Sequence, residues 1–345
     1  MSLLTVRDLR VGIRTAAGVV QAVRGVDFAL AAGETLALVG ESGCGKSMTA
    51  LALMGLTPPG ATVSGEVTLE GQSLLPLSPA RRNALRGARM GLVFQNPMGA
   101  FNPTMRVGDQ IAEVLRSHRN LSAREAGARA VALLARMQVT RPAERARQYP
   151  FEFSGGMLQR AMVAMAVACE PPLLIADEPT TALDVTVQAE VLALLRELVE
   201  ERRIGLLLIT HDFGVVAEIA DRVAVMYAGQ LVEQGPVQAV FRAPAHPYTA
   251  GLQAALPRLE GPRQDTLTTI PGTPPSLLSP PPACGFVDRC PRAMSICAAQ
   301  APGWFDAGDA HRSRCWLWHA ECPQDGQRGS RPRIGPADSE EVSGE

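Results

Sequence analysis

Thr35-Leu36-Ala37-Leu38-Val39, followed by Gly40-Glu41-Ser42-Gly43-Cys44-Gly45-Lys46-Ser47, decides the reading of this chain. The first five residues are a short apolar, strand-forming run that suits burial on both faces. The next eight fit G-x-x-x-x-G-K-[ST], a loop whose amides cradle phosphates while the lysine reaches the outer phosphates and the hydroxyl meets Mg²⁺. Ser47 to Leu56 reads as a helix rich in Ala, Leu and Met. Strand, glycine-rich loop and helix N-terminus aim free N–H groups and the positive end of a dipole at an anion. Lys46 is the one lysine among 33 Lys and Arg residues. An ammonium is a compact point charge and a guanidinium a wide planar fork, so only the former fits a loop already wrapped around a triphosphate.

The bulk properties narrow the field. At 345 residues there is room for two domains and a sizeable core. A net charge of −1 supplies no global basic field for nucleic acid or an anionic membrane. Arg7, Asp8 and Arg10 leave no apolar signal segment at the start, and the longest apolar stretch, Ala161 to Ala176, is cut by Glu170-Pro171-Pro172. Seven cysteines without a secretory signal point to reduced thiols or a metal site. A cytosolic chain is expected.

Working outward from the loop, residues 3–11 and 20–30 alternate apolar with polar and predict antiparallel strands turning near Gly18. A strand pair around Val63–Glu70 and a short strand Met90–Phe94 follow. Between about 105 and 170 the pattern is helical, with Ser122 and Glu125 forming a capping box for a helix to Met137. From Leu173 the elements alternate: strand Leu173–Asp177, helix Val185–Arg202, strand Gly205–Ile209, helix Phe213–Ile219, strand Arg222–Tyr227. That alternation predicts an α/β fold with a parallel sheet. Prolines crowd 271–282 as a stiff linker, Cys and Trp mark 283–323, and 324–345 reads as a disordered tail.

Two further motifs carry chemistry. Leu173-Leu174-Ile175-Ala176-Asp177-Glu178 places two carboxylates at the carboxyl end of a buried strand, where ligands bind in open α/β sheets. The first suits a Mg²⁺ shell and the second an attacking water. Ser154-Gly155-Gly156 precedes an Ala/Met-rich helix and forms another anion cup. Far from the loop in sequence, this second cup could close the loop of another copy if two copies face each other. A Ras-type GTPase is excluded, because its N-K-x-D reader needs a lysine and the only one is already placed.

The order Gly40–Ser47, Gln95, Ser154–Gly156, Asp177–Glu178, Ala182-Leu183-Asp184 and His211 resembles an ABC transporter ATPase over residues 3 to about 255. The resemblance implies a RecA-like P-loop ATPase core with an antiparallel β subdomain and an α-helical signature subdomain (residues 1–256), followed by a small Cys-rich C-terminal extension (257–323). It implies ATP held by Gly40, Ser42, Gly43, Cys44, Gly45, Lys46, Ser47 and Met48, with Ser154, Gly155, Gly156 and Asp184 contributed across a dimer. Mg²⁺ would fall to Ser47, Gln95 and Asp177, and catalysis to Glu178, His211, Lys46 and Gln95. Ile13 falls where the family stacks an aromatic on adenine, so the base would be read loosely.

Pro244-Ala245-His246-Pro247-Tyr248-Thr249 and the C-terminal cysteines resemble the oligopeptide/dipeptide importers. In that branch Cys284, Cys290, Cys297 and Cys315 match a motif that holds a [4Fe–4S] cluster. By chemistry alone four thiolates could also hold zinc. Their spacing is C-x5-C-x6-C-x17-C; Cys322 could substitute for the last, while Cys44 and Cys169 belong to the core. The implied partners are a second, related ATPase subunit, two transmembrane permease subunits and, indirectly, an extracytoplasmic solute-binding protein, at the cytoplasmic face of a bacterial inner membrane. The expected activity is ATP hydrolysis that powers import of di- and oligopeptides. Other cargo (a nickel chelate, a glutathione-like or other small solute) and a non-transport ABC ATPase are the alternatives.

Overall fold

The structure, a computed structural model, describes residues 2–181, 183–255 and 269–322. β1 (Ser2–Thr15) and β2 (Gly18–Ala31) pair antiparallel as a long hairpin, extending the two strands predicted there. β3 (Thr35–Val39) leads through the glycine-rich loop into α1 (Lys46–Met54). That helix stops two residues short of the expected end because Gly55 takes a left-handed cap, φ +63°, bonding back to Ala52 O and Leu51 O. β4 (Thr62–Leu69) pairs with β1 and with the short β5 (Gln72–Ser73), completing a four-stranded antiparallel sheet, β2-β1-β4-β5.

The helical stretch follows α2 (Pro79–Leu85) and β6 (Met90–Val93). It comprises α3 (Pro97–Ala100), α4 (Val107–His118), α5 (Ala123–Arg136), α6 (Pro142–Arg145) and α7 (Gly155–Ala166). The capping box at Ser122 and Glu125 is formed in both directions. Then come β7 (Leu173–Asp177), α8 (Val185–Arg202), β8 (Gly205–Thr210), α9 (Phe213–Ile219), β9 (Arg222–Tyr227) and β10 (Gln230–Pro236). α10 (Val237–Arg242) and α11 (Pro247–Ala254) close this part, and α12 (Ser295–Ala299), β11 (Phe305–Gly308) and β12 (His311–Ser313) belong to the C-terminal segment.

Among the described residues the main sheet has eight strands, β11-β12-β10-β9-β3-β8-β7-β6. β9, β3, β8, β7 and β6 run parallel as expected, whereas β10, β12 and β11 are antiparallel. The sheet is therefore mixed: two-residue turns join β9 to β10 and β11 to β12 as hairpins, and β12 returns to pair with β10 after a long excursion. Alternate residues of β8 feed opposite faces. Leu206 and Leu208 join a core with Leu158, Met162 and Leu195, while Leu207 and Ile209 join one with Leu4, Leu9 and Leu38. A third core, with Val39, Val225, Tyr227 and Tyr248, takes in Phe286 of the C-terminal segment.

The proline-rich stretch is not a free spacer. Leu277 O accepts from Gln21 N–H at 2.8 Å and Pro281 O from Arg24 Nη2 at 3.1 Å, so 270–282 lies strapped to β2. Beyond it, β12 pairs with β10 (Glu233 opposite Ser313, Gln234 opposite Arg312) and seals the sheet edge. Glu233 is fully buried there and accepts from Ala245 N–H at 2.7 Å and His246 N–H at 2.8 Å, with His311 Nε2 2.7 Å away. The expected boundary at 256 and the expected tail from 324 lie outside the described residues. Among the described residues no helix is long and apolar enough to cross a membrane.

Candidate active site

The loop Gly40–Ser47 hangs between β3 and α1 with glycine where nothing else fits. At Gly40 a Cβ would meet Met226 O at 2.1 Å, and at Gly45, φ +109°, it would meet Ala22 O at 2.3 Å. Lys46 is buried, and its ammonium donates to Gly40 O at 2.7 Å and Glu41 O at 3.0 Å, with Cys44 Sγ 3.9 Å away. Those bonds curl the loop around the charge that phosphate oxygens would meet. Met48 is half-buried against the core below, and Ser42 and Gly43 are exposed.

The parallel strands bring the distant motifs to this loop. Ser47 Oγ donates to Asp177 Oδ1 at 3.1 Å, joining residues 130 positions apart, one in the first turn of α1 and the other at the end of β7. Burial pushes the Asp177 carboxyl above its ordinary range; the Ser47 hydrogen bond opposes this and the neighbouring Glu178 charge adds to it. Two hard oxygen donors side by side, one of them a carboxylate paying for desolvation, are the chemistry that suits Mg²⁺.

Glu178 sits in left-handed backbone, φ +48°, with its N–H on Ile209 O at 2.8 Å. A non-glycine residue there is strained unless its surroundings fix it. Three side chains do. Gln95 Nε2 donates to Oε2 at 2.8 Å, Thr181 Oγ1 donates to Oε2 at 2.9 Å, and His211 Nδ1 lies 3.2 Å from Oε1. Burial works to raise this carboxyl, but the bonds from Thr181 and His211 outweigh it and hold it below the ordinary range. Gln95, Glu178 and His211 are thus brought together. Thr181 was not anticipated from sequence, although its place three residues after Glu178 was a usable signal.

The second anion cup does not join them. Ser154 caps α7, its Oγ accepting from Met157 N–H at 3.4 Å, and Asp184 caps α8, its Oδ1 accepting from Val187 N–H at 3.0 Å. A Cβ on Gly156 would meet Val187 Cγ1 at 2.6 Å, and Arg160 pairs with Glu190, so the cup abuts the start of α8. Among the described residues no hydrogen bond links Ser154, Gly155 or Gly156 to 40–48. Ile13 lies on β1, half-buried against the core of the antiparallel sheet.

The four C-terminal cysteines draw together without forming a metal cage. Cys284 N–H donates to Cys297 O at 3.0 Å. Burial raises the Cys284 thiol, pushes Cys290 up to about 11 and Cys315 up to about 12, and the neighbouring thiols add to each shift. Yet among the described residues no three His, Cys, Asp or Glu side chains are gathered as metal ligands. The expected [4Fe–4S] cluster, or zinc in its place, is therefore not supported by this arrangement.

Comparison with known proteins places these features. The family profile "ABC transporter" matches residues 23–181, and "Oligopeptide/dipeptide transporter, C-terminal region" matches 232–297. The chain is 51% identical to the oligopeptide transport ATP-binding protein OppD of Bacillus subtilis, covering 93% of this chain and 90% of that one. It is 49% identical to the dipeptide transport ATP-binding protein DppD of the same organism (91% and 94% covered) and 50% identical to OppD of Escherichia coli (87% and 89%). Among solved structures it is similar to the dimeric bacterial ABC transporter cassette MJ0796, with TM-score 0.62, 25% identity, and 68% of this chain and 98% of that one covered. The same cassette, as a dimer bound to ADP and Pi in a post-hydrolysis state, superposes equally well.

Proposed function

The chain belongs to the ABC transporter family, in its oligopeptide and dipeptide transport branch, and from that premise we propose a role for each residue of the site. The protein is an ATPase, the subunit whose ATP hydrolysis powers peptide import. ATP phosphates lie in the loop Gly40–Ser47, held by its amides and by Lys46. Ser47, Asp177 and Gln95 hold Mg²⁺, which when bound neutralises charge on the transferring phosphoryl group. The Ser47–Asp177 contact is the observation that carries this reading, because it joins both halves of the expected metal shell.

Glu178 aims the attacking water. Its lowered pKa keeps it ionised and makes it a weak proton acceptor. That suits a loose phosphoryl transition state, in which orientation and charge matter more than deprotonation. His211 and Gln95 hold the carboxylate in place, and His211 also faces the γ-phosphate. Ser154, Gly155, Gly156 and Asp184 of a second, related ATPase subunit close the site from the opposite side; their separation from this chain's own loop supports a composite site.

Two permease subunits dock on the helical side near Gln95, where exposed Phe94, Met98 and Phe151 offer apolar surface. The complex works at the cytoplasmic face of the membrane with an extracytoplasmic solute-binding protein feeding it. For Cys284, Cys290, Cys297 and Cys315 the finer reading is a [4Fe–4S] or zinc centre that staples the C-terminal segment. Its support is the resemblance of this cysteine spacing to the importer branch, since among the described residues no three of these side chains are gathered as ligands. Peptide uptake by cells carrying Lys46→Ala tests the main reading: uptake and ATP turnover are both expected to vanish with the protein still folded, and a variant that keeps either would overturn it.

A further inference from the structure

The nucleotide loop has a support that comes from the far end of the chain. Arg289, immediately before Cys290, is 7% exposed and pairs bidentately with Glu41, the second residue of the loop. Its Nη1 donates to Oε2 at 2.8 Å and its Nη2 to Oε1 at 3.0 Å. Nε donates to Pro271 O at 2.9 Å, Nη2 to Ile270 O at 3.3 Å and Nη1 to Tyr227 Oη at 3.3 Å. The guanidinium is thus saturated between the strap and the loop, and the hydrogen bonds to Glu41 raise its pKa further. From the other side Tyr248 Oη accepts from Glu41 N–H at 2.8 Å. Pro274, Pro275 and Leu277 face Ser42, Gly43 and Cys44 across a narrow cleft. Tyr227, Tyr248 and Phe286 pack ring against ring behind the pair, centroids 4.6 to 5.5 Å apart.

Glu41 is a carboxylate inside a loop that receives phosphates. Left unpaired, it would repel them at short range. A bidentate planar partner cancels that charge and fixes the direction in which the residue turns, which a point charge would not. We propose that Arg289 is a positioning residue for the nucleotide loop: through Glu41 it holds the loop in its phosphate-receiving curl, so that the order of the cysteine segment 284–297 sets the affinity for nucleoside triphosphate. The inference rests on the loop binding ATP, and it adds a coupling between two parts of the chain. Coupling is reciprocal, so nucleotide must order segment 284–297 in return.

The test measures MgATP affinity by competition with a fluorescent ATP analogue, and amide exchange across 284–297, in the full-length chain. Arg289→Met is expected to weaken MgATP binding about tenfold, equivalent to about 1.4 kcal/mol. Arg289→Lys recovers part of the loss. Adding Glu41→Gln to Arg289→Met strengthens binding again, since it removes the charge left unpaired; a merely structural arginine predicts no such rescue. MgATP slows exchange across 284–297 in the wild type and fails to do so in Arg289→Met. If that variant does not fold, Glu41→Gln alone reads the same link, and ATP-dependent protection is expected to disappear there. Unchanged affinity in Arg289→Met, loss without rescue, or protection that persists in Glu41→Gln overturns the proposal. Wild-type chain that binds no MgATP, or Lys46→Ala that binds it as tightly, sinks the nucleotide reading and this proposal with it. Normal wild-type binding beside an unaffected Arg289→Met sinks this proposal alone.

Discussion

Gln95 Nε2 donates to Glu178 Oε2 across 2.8 Å, tying the end of β6 to the end of β7. The segment after Gln95 enters the helical stretch with its exposed apolar residues, so the carboxylate proposed to aim water is in direct touch with the side proposed for permease docking. A shift of Gln95 by an ångström breaks this bond and leaves Glu178, in its left-handed backbone, one restraint fewer. On the proposed roles, hydrolysis and docking would share this atom pair.

Glu178→Gln keeps the shape of the side chain and removes its charge. It is expected to bind MgATP, to lose turnover by about 10²–10³, and to accumulate as a nucleotide-bound dimer with its partner ATPase. Size-exclusion chromatography with and without MgATP reads the dimer; no ATP-dependent shift would count against the composite site.

Gly155 and Gly156 separate what this chain needs from what a partner needs. No atom lies within 4 Å of a Cβ placed on Gly155, whereas one on Gly156 meets Val187 Cγ1 at 2.6 Å. Gly155→Ala should therefore melt like the wild type, while Gly156→Ala should lose about 1–3 kcal/mol through overpacking. Placed on Glu178→Gln, Gly155→Ala is expected to abolish the ATP-driven dimer, because only the nucleotide and the partner loop approach that position. A dimer that persists would show that the face is not used.

His246 gives stability an acid limb. It is buried, its Nδ1 accepts from Tyr248 N–H at 3.1 Å, and burial pushes its pKa down to about 3. The unfolded chain takes up this proton below about 6.5, and the native chain refuses it until far lower. The depressed native pKa leaves stability intact above that value and erodes it as pH falls toward 3, at about 1.4 kcal/mol per unit. His246→Asn keeps an acceptor and cannot titrate. Urea unfolding between pH 6.5 and 5 should show a shallower loss for the variant than for the wild type, and parallel slopes would disprove the assignment.

Anaerobic purification decides the cysteine centre. About four irons with matching sulfide, or one zinc, per chain would establish ligation. Metal removal should then speed amide exchange in 284–297. Metal-free protein whose four thiols react only after unfolding would leave the buried, protonated arrangement as the working state.

The fold near the loop was legible because local signals agreed there. β3, β7, α8, α9 and β9 fall where their apolar runs and flanking residues put them, since strands buried on both faces and capped helices declare themselves locally. Lys46, Ser47, Ser154, Asp177 and Glu178 were singled out by their places at strand ends and helix starts, whereas Gln95, Asp184 and His211 were candidates only through the resemblance. What sequence could not show was pairing across long separations. Arg289 and Glu41 are 248 positions apart and carry no pattern of their own. β11 and β12 are too short for periodicity to mark, and they form because β10 offers an edge and because His311 and Ser313 alternate inward. The strap was read as a stiff linker from its prolines, and its carbonyl contacts to β2 and to Arg289 reveal that it is docked.

The sealing of β10 by β12 also sets a timetable for biosynthesis. A ribosome delivers β10 long before His311 and Ser313, so for that interval the nascent sheet carries an open edge, a template for strands of other chains. In the finished fold the Glu233 carboxylate has an imidazole beside it; in the nascent one it has only the amides of Ala245 and His246. A chain ending before residue 313 is therefore expected to keep most of its core and to leave β10 unpaired along the flank that β12 covers.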